Sequence, residues 1–191
     1  MRQPPLTVRR WSRAEYDRLV ELGAFDRDPV ELIAGELFVA EPQGTYHATA
    51  VGVADDVLRA TLPPGYIVRI QAPIALDDES EPEPDLAVVP GTRAEYRHAH
   101  PSSPVLLIEV ADSSLHFDRE RKASLYARAV IEDYWVVNLV DRVVELYRDP
   151  RPDASARYGW QYRSVQRLAP PAVTAPLALP SMRIAVADLL A

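Results

Sequence analysis

The sequence predicts a single α/β domain built around a mixed β-sheet, and three observations carry that prediction. The runs DLAVV (85–89) and VLLIEV (105–110) have strand length and are apolar on both alternating faces, as strands buried on two sides are. YWVVNL (134–139) and VVELYRD (143–149) flank Val140-Asp141-Arg142 as an antiparallel hairpin. Helix-period segments fall between only some of the strands, so the order is not a regular β–α–β series. With 191 residues, 48% of them apolar and 26% charged, the chain can bury one real core and has ordinary globular composition.

In chain order, Ser12-Arg13-Ala14-Glu15 reads as a capping box opening a short helix to about Leu22. VELIAGELFVAEP (30–42) reads as two short strands around a tight turn at Ala34-Gly35. From His47 to about Leu62, apolar residues recur at helical spacing until Pro63-Pro64-Gly65 stops them. YIVRIQAPIAL (66–76) is extended, and DDESEPEP (77–84) is an acidic, solvated loop feeding the strand that starts at Asp85. A polar connection (91–104) leads to the buried strand. DSSLHFD (112–118) then introduces a helix from about Asp118 to Arg128. After the hairpin come one aromatic strand, YGWQYRSVQ (158–166), a Pro/Ala-rich stretch and a short helix at 186–191. The expectation is one domain over 1–191, with its core at about 12–148 and a C-terminal extension at 149–191.

Composition closes off several function classes. Without cysteine there are no disulfides and no thiolate metal sites. No apolar run approaches about 18 residues, so no membrane-spanning helix is expected. MRQPPLTVRRW has no apolar stretch behind its arginines, so a secretory leader is not expected and a cytoplasmic location is. A net charge of -7 argues against a protein coated for nonspecific DNA binding, while leaving room for a locally basic groove. Of the 21 basic residues only Lys122 is lysine; the rest are arginine. Codon bias accounts for that wherever charge alone matters, and the surviving Lys122 is then either a place where a compact ammonium is needed or a product of chance.

Glu109 sits between Ile108 and Val110 inside an otherwise aliphatic strand. An ionised carboxylate there costs several kcal/mol unless a partner, a proton or a metal compensates it. Asp85 opens the preceding strand and Lys122 lies on the helix that follows. Adjacent strands would bring Asp85 and Glu109 to one end of a sheet. Two carboxylates completed by backbone oxygens and water form an oxygen-only site suited to Mg²⁺ or Mn²⁺. An ammonium beside it suits phosphodiester hydrolysis.

Pro84-Asp85, Glu109-Val110 and Lys122 within DRERKASLYARAVIEDYWVVNL (118–139) resemble the Uma-two family of the PD-(D/E)xK restriction-endonuclease-like superfamily. Tyr126-Ala127-Arg128-Ala129 and Tyr134-Trp135-Val136-Val137 are the most distinctive part, and the resemblance reaches back to ELIAGEL and His47. It implies a restriction-endonuclease-like mixed sheet flanked by helices, with an extra N-terminal β hairpin. It implies Asp85 and Glu109 as metal ligands, Lys122 as the catalytic lysine, and Mg²⁺- or Mn²⁺-dependent endonuclease activity on DNA. Glu36, His47 and Tyr126 are supporting candidates; Glu36 falls where the family often carries an acid, and His47 could contact phosphate or cap its helix. The chain departs from the family pattern at Ala111, where the superfamily usually has its lysine. It departs again at Asp112-Ser113-Ser114, at Val130 in place of a glycine, and at Asn138 in place of an aspartate.

Plainer readings stand beside these. Pro-Asp at a strand start is ordinary turn chemistry, and a helix lysine is usually solvated. Glu83 belongs to the acidic loop, and Arg119 and Arg121 could meet phosphates or water. His98 and His100 lack further ligands for zinc, and Trp135 reads as core. The rival functions are a non-catalytic interaction module on the nuclease fold, and a paired-carboxylate glycosidase, which needs neither lysine nor metal. A homodimer is compatible with cutting two strands.

Overall fold

The computed structural model describes residues 7–39 and 42–190. The first six residues of the N-terminal segment, the hairpin reading beyond Val39 at 40–41, and the last residue of the C-terminal helix lie outside the described residues.

Helix α1 (Arg13–Glu21) opens with the expected capping box: the Glu15 N–H donates to Ser12 Oγ, and the Ser12 N–H donates to the Glu15 carboxylate. The hairpin β1 (Val30–Ile33) and β2 (Glu36–Val39) turns at Ala34 (φ 49°) and Gly35 (φ 75°). Positive φ at both central residues is the I′ geometry that matches strand twist. Because side chains alternate, Glu31, Ile33, Glu36 and Phe38 share one face of this hairpin. Helix α2 (Thr45–Thr61) follows, and Pro63-Pro64 prevents its continuation.

Six strands form the central sheet in the order β3-β4-β5-β6-β7-β8, comprising β3 (Tyr66–Ile70), β4 (Leu86–Pro90), β5 (Leu106–Ala111), β6 (Asp133–Asn138), β7 (Val143–Pro152) and β8 (Trp160–Leu168). Only β5 and β6 run parallel; the other pairs are antiparallel. That parallel pair needs a crossover, supplied by α3 (Leu115–Phe117), a π-helical turn (Asp118–Lys122) and α4 (Ala123–Arg128) in one continuous rod. One sheet face packs Leu86, Ile108 and Trp135 against α2 and the C-terminal segment. The other packs Leu107, Tyr134 and Val136 against the crossover helix and the hairpin. Every residue of β5 and β6 is buried, which explains why they are apolar apart from Glu109, Asp133 and Asn138. The Pro/Ala-rich stretch forms a small pair, β9 (Val173–Thr174) with β10 (Ile184–Ala185), and ends in α5 (Val186–Leu189). Its Met182, Ile184, Val186 and Leu189 are fully part of the core over α2. Among the described residues no helix is long and apolar enough to cross a membrane.

Two sequence expectations differ from the structure. The extended stretch 66–76 is a strand only to Ile70, because Gln71 turns the chain at φ 44°. The acidic loop is not solvated: Ser80 and Glu81 are buried because the hairpin turn lies on them. The Gly35 N–H donates to Glu79 O at 2.7 Å, the Ala34 N–H to Ser80 Oγ at 3.1 Å, and the Glu81 N–H to Leu32 O at 2.8 Å. Burial pushes the Glu81 carboxyl up to about 7, Asp17 adds to the rise, and Arg13, 3.8 Å away, opposes it. A carboxyl raised in the fold destabilises it on ionising, so this contribution is lost as pH climbs from 4.5, the ordinary value, through about 7. Glu81→Gln is therefore expected to be near neutral below about pH 4.5 and stabilising by about 1–2 kcal/mol at about pH 8. Urea denaturation at the two pH values measures it.

The crossover rod ends in a Schellman motif: the Ile131 N–H donates to Tyr126 O and the Val130 N–H to Ala127 O, both at 3.0 Å. That geometry puts Val130 at φ 57°, a costly conformation for a β-branched side chain, and 55% of Val130 is exposed, so little packing compensates. Val130→Gly should raise stability by about 1 kcal/mol, read as a higher Tm.

Candidate active site

The β4–β5 register pairs Leu86 with Ile108, so Asp85 stands beside Glu109 where β4 begins. The Asp85 N–H donates to Glu109 Oε2 at 3.2 Å, and Asp85 Oδ2 accepts from the Val110 N–H at 2.8 Å. Each carboxylate is thus fixed by the neighbouring strand's backbone. Gln71 Nε2 donates to Asp85 Oδ1 at 3.2 Å, and His47 Nε2 lies 3.1 Å from Asp85 Oδ2, bringing in β3 and α2.

The crossover rod supplies the lysine. Lys122 Nζ stands 3.3 Å from Glu109 Oε1 and donates to Glu31 Oε2 at 2.6 Å. One turn on, the Tyr126 hydroxyl donates to Glu109 Oε1 at 2.6 Å. One turn back, Asp118 is buried and accepts from Ser114 Oγ at 2.6 Å. Two four-residue steps drift about 80° around an α-helix. The wider π turn between Asp118 and Lys122 takes up most of that drift, so Asp118, Lys122 and Tyr126 all face inward.

Charge is the dominant feature of this end of the sheet. Glu109 is 5% exposed, and burial pushes its carboxyl up to about 8; Lys122 pulls it down, while Asp85, Asp118 and Glu31 add to the rise. Burial likewise lifts Asp118 to about 6 against the Ser114 hydrogen bond. Burial opposes the charge of Lys122, but Glu109 and Glu31 outweigh it and hold the ammonium protonated above its ordinary range. The hydrogen bond to Asp85 raises His47, although burial opposes it. Burial and the neighbouring Glu31 raise Glu83.

The structure therefore brings together Asp85, Glu109, Lys122, Tyr126 and His47. His47 turns to Asp85 rather than capping α2, whose N-cap Gly44 has no side-chain cap. Glu36 goes elsewhere, with its Oε2 3.3 Å from Arg121 Nη1. Sequence reasoning missed Glu31, Asp118 and Gln71. Glu31 sits in a strand where alternation makes it look like any solvated acid, yet it shares the hairpin face that meets the crossover helix. Glu83 contributes through its backbone, with its N–H donating to Glu31 Oε2 at 3.1 Å. Arg119 is tied to Glu145, and Arg121 to Glu36 and the Phe38 ring. Trp135 is core, with its Nε1 donating to Asp133 Oδ1.

Among the described residues no three His, Asp or Glu side chains are gathered closely enough to cage a metal. The donor chemistry still fits a hard divalent cation of the Mg²⁺ kind, which commonly takes one or two carboxylates and keeps several waters. Asp85 and Glu109 supply such a pair, and the surplus of buried carboxylates over the Lys122 ammonium favours added positive charge.

The fold is shared with known proteins. A crystal structure described as "a putative nuclease belonging to DUF820 from Anabaena variabilis ATCC 29413" superposes with a TM-score of 0.60 at 14% identity, covering 85% of this chain and 90% of that one. At that identity the likeness speaks for the restriction-endonuclease-like architecture alone. No curated protein matches the chain. The model of one family, described as "Putative restriction endonuclease", matches residues 13–187, nearly the whole length, and on that match the chain belongs to the Uma2 (Uma-two) family.

Proposed function

We propose that the protein is a divalent-metal-dependent endonuclease that hydrolyses DNA phosphodiester bonds, with Asp85 and Glu109 as metal ligands and Lys122 as the catalytic lysine. The observation that carries this reading is the meeting of Glu109, Asp85 and Lys122 from two strands and a helix at one end of the sheet. A Mg²⁺ or Mn²⁺ ion held there would supply Lewis acidity toward a phosphate oxygen and an attacking water. Gln71 and His47 orient Asp85, and Tyr126 orients Glu109. Lys122, held as an ammonium, is a donor rather than a base: it steadies the water and offsets negative charge growing on phosphorus-bound oxygens. The water oxygen bonds to phosphorus as the bond to the leaving sugar oxygen breaks; the attacking water's proton passes to solvent water, and the departing oxygen takes a proton from solvent.

The test is cleavage of supercoiled plasmid by purified protein with Mg²⁺, with Mn²⁺ and with EDTA, alongside calorimetric titration of Mn²⁺. The expected result is nicking with either metal and none with EDTA. Absence of both cleavage and metal binding would favour the non-catalytic module. Cleavage insensitive to EDTA would rule out the metal.

A further inference from the structure

The β-sheet register runs a second charged cluster alongside the site. Continuing the row from Glu109, β6 contributes Val136, β7 contributes Glu145 and β8 contributes Arg167. Glu145 is fully buried, yet it accepts from Asn138 Nδ2 at 3.0 Å, from the Tyr147 hydroxyl at 2.8 Å and from Arg119 Nε at 3.1 Å, with a second bond from Arg119 Nη2. Arg119 also reaches Asp141 in the β6–β7 turn at 3.4 Å. A two-pronged guanidinium–carboxylate contact fixes both position and orientation.

Arg119 belongs to the same π-helical turn as Lys122. Such turns are rare, and one persists where surrounding contacts hold it. The turn sends Asp118 and Lys122 toward Glu109, Arg119 sideways onto Glu145, and Arg121 onto Glu36 and the Phe38 ring. Relaxation to a regular α-helix would rotate Asp118 and Arg119 relative to Lys122 and Tyr126, so Arg119 could not keep Glu145 while Lys122 keeps its two carboxylates.

We propose that Arg119 and Glu145 are positioning residues for the nuclease site: the fork of the half-buried Arg119 on the buried Glu145 pins the π turn and so holds Lys122 over Glu109 and Glu31. The assignment rests on the reading of Lys122 as the catalytic lysine, but its test does not depend on cleavage. Because Lys122 is the only lysine in the chain, isotope labelling of lysine gives a single side-chain NMR signal from the site, with no assignment needed. In the metal-free wild type that signal is expected to be that of a buried, paired ammonium. Arg119→Gln and Glu145→Gln are expected to shift it toward the values of a solvated lysine and to lower kcat more than they raise KM. The double variant Arg119→Met, Glu145→Leu leaves no unpaired buried charge, so it carries the test if either single variant fails to fold. Leu58→Ala, a cavity on the opposite sheet face, is expected to lower Tm without moving the signal. An unchanged lysine signal in the folded Arg119 and Glu145 variants would overturn the proposal, as would an equal shift in Leu58→Ala. Shifted signals in the Arg119 and Glu145 variants, beside a wild type that cleaves no DNA with either metal, would support the positioning role and count against the nuclease reading alone.

Discussion

Glu109→Gln is expected to abolish cleavage while making the metal-free protein more stable at alkaline pH. The two effects have one cause. Glu109 is almost wholly buried, and burial pushes its carboxyl from the ordinary 4.5 up to about 8. A carboxyl raised in the fold contributes a penalty that is absent below about pH 4.5, grows through the window between, and is complete above about pH 8. Glutamine keeps the size without the charge. Its stabilisation should be near zero at about pH 4.5 and about 1–2 kcal/mol at about pH 8.5, reduced from the full shift because Tyr126 and the Asp85 N–H lose an ionised acceptor. Adding Mn²⁺ should stabilise the wild type above about pH 7 and leave Glu109→Gln unmoved, since binding to the native state alone raises stability. Denaturation curves at two pH values, with and without metal, separate these outcomes. A loss of stability in Glu109→Gln at every pH would mean that the acid is a structural partner of Lys122 and little more. Such a trade, activity held at the expense of stability, is common at functional sites.

Lys122→Arg should lower cleavage by about 10²–10³-fold, the usual cost of displacing one preorganised charge from a transition state. The substitution keeps the positive charge and brings the residue into line with every other cation in the chain. It fails on geometry: Nζ is a compact point between Glu31 Oε2 at 2.6 Å and Glu109 Oε1 at 3.3 Å, in a site that leaves 4% of the side chain exposed. A planar guanidinium is larger and donates along a fixed fork. Lys122→Met should lose at least as much activity, and it should also destabilise the fold by about 3–5 kcal/mol near pH 8, where Glu31 and Glu109 would be left without their cation. Plasmid nicking rates and Tm values measure both. Full activity in Lys122→Arg would remove the lysine from the chemistry.

The parts of this site legible in the sequence are those that break a local pattern. Glu109 interrupts an aliphatic strand, Asp85 begins the strand beside it, and Lys122 is the lone lysine of an arginine-rich chain. Those contrasts, with the family resemblance, were enough to place the three side chains together. Glu31 broke no pattern. It alternates with apolar neighbours as an edge-strand acid does, and only the packing of the hairpin against the crossover helix brings it to Lys122. Burial of the 77–84 loop was hidden for the same reason, since the backbone bonds of Gly35, Ala34 and Glu81 join segments distant in sequence. The C-terminal stretch carries no helical or strand period, yet Met182 and Ile184 complete the core over α2. The π turn depends on long-range contacts of Arg119 and Arg121, which no local propensity encodes.

On the proposed reading, Asp85 and Glu109 together hold a divalent ion beside Lys122. The most direct test is an anomalous difference map from crystals of the wild type soaked in Mn²⁺ at about pH 8. One strong peak is expected between the two carboxylates, about 2.0–2.3 Å from an oxygen of each, and its loss in Glu109→Gln. A peak elsewhere, or none at a concentration that supports cleavage, would contradict it.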